Sequence, residues 1–210
     1  LWENSLTPSA IKIINSIDKM IIKSSEKTEI NMIVRSMGGL ELRTFDIDIP
    51  TIDIELNYGI EWKNKHEKLF YALQRETKKG IALLHGKPGT GKSMYIRYLI
   101  SLLSSISNHK SRTIIYLPNH LIDSLTDPSF LPLMADNPNA ILIIEDADEA
   151  IKSRKHGGGT VDKLLNLSDG ILSDFLGTQI ICTFNSKIET IDEALLRKGR
   201  LILKHEFTNL

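Results

Sequence analysis

The stretch from Ile81 to Ser93, IALLHGKPGTGKS, restricts the possible folds more than any other part of the chain. The aliphatic residues Ile81, Ala82, Leu83 and Leu84 read as a buried strand, and Lys92 opens an amphipathic run to about Ser105 that reads as a helix. Between them, Gly86, Gly89 and Gly91 let the main chain wrap so closely that successive N–H groups turn inward. The start of the helix adds its partial positive charge to that concavity. Gly86-Lys87-Pro88-Gly89-Thr90-Gly91-Lys92-Ser93 fits the spacing G-x-x-x-x-G-K-[ST] and has the required strand before it and helix after it. The binding segment expected for a nucleoside triphosphate is therefore Gly86, Lys87, Pro88, Gly89, Thr90, Gly91, Lys92, Ser93 and the following Met94. Lys92 would bridge the β and γ phosphates, and Ser93 would offer its hydroxyl to magnesium. Lys87 stands at a variable slot and reads as a solvated charge. A glycine-rich strand-to-helix turn without a ligand is the alternative.

The rest of the chain divides by pattern near residue 57. Residues 1–57 read as a small α+β appendage: a helix over Pro8–Lys23 with apolar Ile11, Ile14, Ile17, Met20 and Ile21, then a hairpin over Glu29–Ile49 turning at Gly38-Gly39, then a third strand through Ile52 and Ile54. Docking or oligomer contact is its expected role. Residues 58–210 alternate helices with short aliphatic strands. Helices are expected over Glu61–Lys78, Lys92–Ser105 and Val161–Phe175. Strands are expected over Ile81–Leu84, Thr113–Leu117, Ile141–Ile144, Gln179–Phe184 and Leu201–Leu203. Strands that lack polar alternation are buried on both faces, so the expected core is a doubly wound α/β fold with a five-stranded parallel sheet.

Charge and cysteine usage exclude several classes. Lys plus Arg and Asp plus Glu both number 26, so the chain has no bulk positive field of the kind that marks a nucleic-acid binder. The lone Cys182 lies in an apolar run, which rules out an internal disulfide and points to a small core residue in a reducing compartment. No apolar stretch approaches the roughly 18 residues of a membrane span, and no signal-peptide pattern is present. A cytoplasmic protein is expected. The scattered histidines show no metal-ligand spacing, so no structural zinc site is expected. The chain begins at Leu1 rather than at methionine, which reads as a fragment or processed form.

A second stretch, Ile141 to Ala150 (ILIIEDADEA), runs four aliphatic residues straight into carboxylates. Unpaired carboxylates are too costly to bury, so a cluster at a strand end calls for a nearby cation or an activated water. Capping of the next helix by one of them is the competing explanation.

With these blocks the chain resembles the AAA ATPases, most closely their Bcs1-like branch and its bacterial relatives. The resemblance rests on GKPGTGKS, ILIIEDAD, Leu164–Gly170, Cys182-Thr183-Phe184-Asn185 and Ile191–Arg200, in that order, and spans Gly80 to Leu203. It implies a P-loop NTPase of AAA type that binds ATP and Mg2+ and hydrolyses ATP. By position Glu145 would hold the magnesium, and Asp146 would polarise the attacking water. Most of the family has these acids in the reverse order; the Bcs1-like branch shares the inversion. Asp146 reaches about 1.5 Å less far than a glutamate, a misplacement worth on the order of 100-fold in rate, so a compensating backbone is expected. Asp148 would support the site from behind, and Glu149 reads as a solvated charge. Asn185, by itself a turn residue, would orient the lytic water. Arg197 and Arg200, otherwise a basic surface loop, would act as arginine fingers on a neighbouring subunit, which implies a ring or head-to-tail oligomer. Tyr58-Gly59-Ile60 lies where relatives contact the base.

Three further features matter. Leu121–Phe130 lacks the aromatic-aliphatic-glycine triplet with which unfoldases grip a chain, so threading is not expected and Phe130 reads as a core anchor. Lys155–Gly159 reads as a mobile loop. The chain ends at Leu210, where the family continues into a helical lid, so the lid is expected to be absent. The resulting expectation is a magnesium-dependent ATPase that rearranges a macromolecular partner, a protein rather than a nucleic acid. A nucleotide-gated scaffold without turnover and a small-molecule kinase stay open as alternatives.

Overall fold

The computed structural model describes residues 27–75, 79–105, 112–151, 161–168 and 171–208. The expected helix over Pro8–Lys23, the Lys155–Gly159 loop, Asp169-Gly170 and the chain end at Leu210 lie outside these residues. The elements in order are β1 (Lys27–Ser36), β2 (Gly39–Asp48), α1 (Ile54–Leu73), β3 (Gly80–Gly86), α2 (Lys92–Ser105), β4 (Ile114–Leu117), a 3-10 segment (Asn119–Thr126), α3 (Phe130–Ala135), β5 (Ile141–Ile144), α4 (Asp148–Ile151), α5 (Val161–Ser168), α6 (Ile171–Leu176), β6 (Gln179–Phe184) and β7 (Leu201–Phe207).

The strands form one sheet in the order β2-β1-β4-β5-β6-β3-β7. Every neighbouring pair is parallel except β1 with β2. In β3, β5 and β6 every residue is buried, and alternate side chains enter opposite cores. Leu83, Leu142, Ile144, Ile180 and Cys182 pack on one face with Phe130 and Leu164. Ala82, Leu84, Ile143 and Ile181 pack on the other with Trp62, Leu69, Tyr95 and Leu99. The chain is thus a doubly wound α/β molecule, as its aliphatic runs require. Among the described residues no helix is long and apolar enough to cross a membrane.

The sheet has seven strands, not five. The hairpin expected in a separate appendage extends the main sheet, because β1 pairs in parallel with β4 through Asn31↔Ile115 and Met32↔Tyr116. Ile30 and Ile33 are buried in opposite cores, as in an interior strand. The hairpin end is tied down by Arg35 to Asp127 at 3.0 Å and by the Leu40 N–H to the Ser129 hydroxyl at 3.2 Å. The same region buries Ile122, Leu125 and Phe130, so Phe130 does anchor the core.

The expected third strand through Ile52 and Ile54 is instead the start of α1. Asp53 caps that helix by accepting the Leu56 N–H at 2.9 Å, which sets a helical course where the aliphatic spacing suggested a strand. α1 breaks at Gly59 (φ 81°, ψ 163°) and ends at Leu73, short of Lys78. The helix expected over Val161–Phe175 is two helices, α5 and α6. β7 continues to Phe207, beyond Leu203, because exposed Lys204 and Glu206 give an edge strand the polar alternation that hid its length.

At the amino ends of the strands, Arg112 ties the layers together. It donates to the carbonyl of Leu73 at 2.6 Å and to those of Ala140 and Gly177 at 3.4 Å, and also to the Asn139 carbonyl and the Gln179 side chain.

Candidate functional site

β3, β5 and β6 each end in residues from the two sequence blocks, and their register brings those ends together. Ile144 pairs with Cys182 and His85 with Phe184, so Gly86, Glu145 and Asn185 emerge side by side at the carboxyl edge of the sheet. In open α/β sheets this edge, where the strand order reverses, is where ligands bind.

Gly86 leaves β3 in a place where a Cβ would overlap the Phe207 carbonyl, so only glycine fits. The loop then runs outward: Lys87, Pro88 and Gly89 are exposed, and Thr90 folds back to donate its hydroxyl to the Lys87 carbonyl at 2.8 Å. Gly91 has φ 85° and lies beneath the ring of Tyr58. Ser93 and Met94 are exposed on the first turn of α2.

Lys92 is buried inside the loop. Its ammonium donates to the carbonyls of Gly86 at 2.7 Å and Lys87 at 3.0 Å and to Asn185 Oδ1 at 2.9 Å. Burial holds its pKa below the usual lysine value, and the nearby carboxylates of Asp146, Asp148 and Glu145 oppose that shift.

Glu145 is half-buried, and its Oε1 is buried without a hydrogen-bond donor among the described residues. A buried carboxylate oxygen without a donor, on an acid whose charge acts on the loop lysine, suits a cation, so Glu145 and the exposed Ser93 hydroxyl fit a magnesium site. Tyr116 on β4 stands beside this acid. Burial raises its phenol pKa, and the charges of Glu145 and Asp146 raise it further.

Asp146 has φ 50°, the left-handed region that aspartate tolerates better than most residues. Two bonds to β6 hold this turn: the Asp146 N–H to Thr183 Oγ1 at 3.2 Å, and the Ala147 N–H to the Thr183 carbonyl at 2.8 Å. The turned backbone delivers the carboxylate to Asn185, whose Nδ2 donates to Asp146 Oδ1 at 3.2 Å.

Asn185 is the junction of the site. Its side chain joins Lys92 to Asp146, and its own N–H donates to the Asp148 carboxylate at 3.1 and 3.2 Å. Asp148 also accepts the Ser186 N–H at 2.8 Å and the Ser186 hydroxyl. It therefore fixes the turn that carries Asn185. Sequence reading did not assign roles to Thr183, Ser186 or Tyr116. A threonine inside an otherwise apolar strand end was the available signal for the first.

The structure brings Lys92, Glu145, Asp146 and Asn185 together but leaves Arg197 and Arg200 apart. Those arginines precede β7, at the end of the sheet opposite the P-loop, because Ile81 pairs with Leu201 and Gly86 with Phe207. The strand between them is about 17 Å long. Arg197 is exposed, whereas Arg200 is half-buried and donates to the Ala194 carbonyl.

Comparison with known proteins agrees with this geometry. The model of the "ATPase family associated with various cellular activities (AAA)" matches residues 82–209. The 26S proteasome regulatory subunit 8 of Dictyostelium discoideum is 32% identical over 171 residues, which cover 74% of this chain and 40% of that protein. An AAA-ATPase of Arabidopsis thaliana is 32% identical over 209 residues, covering 80% of this chain and 44% of its own length. The probable mitochondrial chaperone BCS1-A of Dictyostelium discoideum is 32% identical over 141 residues, 60% of this chain and 31% of the chaperone. The chain spans less than half the length of these relatives. The P-loop, the acids that follow β5, the Asn185 junction that follows β6 and a family match over most of the chain lead to one conclusion: the chain belongs to the AAA family of ATPases.

Proposed function

We propose that this chain binds ATP with magnesium at the Gly86–Met94 loop and hydrolyses it, and that the complete protein uses the energy, as an oligomer, to rearrange a protein partner. The observation that carries the reading is the hydrogen-bonded chain Lys92–Asn185–Asp146 at the mouth of the P-loop. Loop N–H groups cradle the phosphates, and Lys92 exchanges its loop carbonyls for the β and γ phosphate oxygens. Ser93 and Glu145 would hold the magnesium, which would neutralise charge on those phosphates. Asp146 accepts the proton of a water whose oxygen Asn185 orients toward the γ phosphorus. As the new P–O bond forms, the bond to the bridging oxygen breaks, leaving ADP and inorganic phosphate.

Arg197 and Arg200 enter this scheme from a neighbouring copy, where a guanidinium would stabilise the charge developing on the transferring group. The names of the relatives, a proteasome regulatory subunit and a chaperone, support a protein as the partner. Cys182 is free and buried, with its thiol pKa pushed up to about 12 by burial, which suits a reducing, cytoplasmic setting.

Phosphate release by the assembled complete protein, without any acceptor, tests the proposal. Wild type should turn over, Asp146→Asn should bind ATP but lose turnover, and Lys92→Ala should lose ATP binding. Absence of wild-type turnover would rule out hydrolysis in favour of a nucleotide-gated scaffold.

A further inference from the structure

One aromatic cluster holds both ends of the P-loop. At the first end, Gly86 is pressed against the Phe207 carbonyl. At the other, a Cβ on Gly91 would lie 3.1 Å from the ring and hydroxyl of Tyr58. The Tyr58 hydroxyl donates to the Gly91 carbonyl at 3.0 Å, the same oxygen that accepts the Tyr95 N–H at 2.9 Å. Tyr58 meets Phe207 edge-on at 5.4 Å and Tyr95 edge-on at 5.9 Å, and Trp62 packs behind both partners at 4.9 Å. Gly59, with φ 81°, makes the break in α1 that follows Tyr58 immediately.

A peptide unit is planar, with its carbonyl and the following N–H pointing opposite ways. Fixing the Gly91 carbonyl along α2 therefore fixes the Lys92 N–H off the helix start, toward the concavity of the loop. We infer that Tyr58 is a positioning residue that sets the P-loop for phosphate before any ligand arrives. This inference rests on the nucleotide site proposed above. With its hydroxyl already engaged by Gly91, the phenol has no donor left for a base and meets the loop directly. Burial raises the phenol pKa to about 12, so the hydroxyl stays a donor at ordinary pH.

Calorimetric titration of the complete protein with magnesium tripolyphosphate and with magnesium ATP, alongside thermal melting, tests the inference. Tyr58→Phe keeps the ring and removes only the donor. It should weaken both ligands by the same factor, about fivefold, with little change in melting. Tyr58→Ala, which also frees Gly91, should weaken both by about tenfold or more. A loss confined to ATP would mean that Tyr58 reads the base, and would overturn the inference. Unchanged affinities, with or without a fall in melting temperature, would overturn it as well. If wild type binds neither ligand, the nucleotide site itself fails, an outcome distinct from failure of the Tyr58 role alone.

Discussion

Three different residues hold Asn185 in place. Lys92 donates to its side-chain oxygen, Asp146 accepts from its side-chain nitrogen, and Asp148 accepts from its main-chain N–H. These directions leave its amide one orientation, with oxygen toward the cation and nitrogen toward the acid. Asp148 holds the main chain of this arrangement rather than its side-chain amide. Its carboxylate takes the N–H groups of Asn185 and Ser186 and the Ser186 hydroxyl, whereas an asparagine has one acceptor oxygen and an NH2 that cannot accept. Asp148→Asn should therefore loosen the β6 exit turn, lowering kcat about tenfold while KM for ATP stays near the wild-type value. Steady-state kinetics on the assembled protein would check this. A rise in KM at unchanged kcat would mean that Asp148 serves binding instead.

Among the elements, those that carry the site were the easiest to read from sequence. β5 is an unbroken aliphatic run, β6 is an apolar run interrupted near its end by Thr183, and both are followed by polar residues. The P-loop spacing calls for a strand before it and a helix after it, so β3, α2 and the two strand ends fall where expected. Long-range pairing is not written in local periodicity. The alternation around Gly38-Gly39 marks a hairpin, but nothing near it indicates that Asn31 and Met32 will pair with Ile115 and Tyr116, more than 80 positions away. For the same reason the left-handed turn at Asp146 was not visible, since it depends on Thr183 from another strand. The hairpin's place in the sheet has a measurable consequence. Ile33 has no exposure and lies in the same core as Ile115 and Leu142. Ile33→Ala should cost about 3 kcal/mol and lower the melting of the whole domain in one transition. An unchanged main transition with a separate early one would show that the hairpin folds as an independent unit.

For the whole molecule, the sheet separates the two sets of proposed site residues. The phosphate loop and its acids occupy the carboxyl edge, and Arg197 and Arg200 lie at the amino end of β7, a strand length away. With a strand of about 17 Å between the arginine segment and the loop, the proposed function has any contribution of these arginines to the transition state come from a second copy. The two arginines also differ. Arg200 is committed to the Ala194 carbonyl and half-buried, so its loss should harm the fold as well as turnover, whereas exposed Arg197 is free of such a constraint. This separation makes complementation in trans possible. Complete protein carrying Lys92→Ala retains Arg197 but has a disabled loop, while Arg197→Ala retains the loop but lacks the guanidinium. Each alone should be nearly silent in phosphate release. Mixed and allowed to exchange subunits, they form interfaces in which an intact loop faces an intact arginine, so part of the wild-type activity should return. The recovered fraction should peak at intermediate mixing ratios, because activity needs both kinds of subunit side by side. If no ratio restores turnover although size measurements show mixed assemblies, Arg197 does not act across the interface and the head-to-tail arrangement loses its chemical basis.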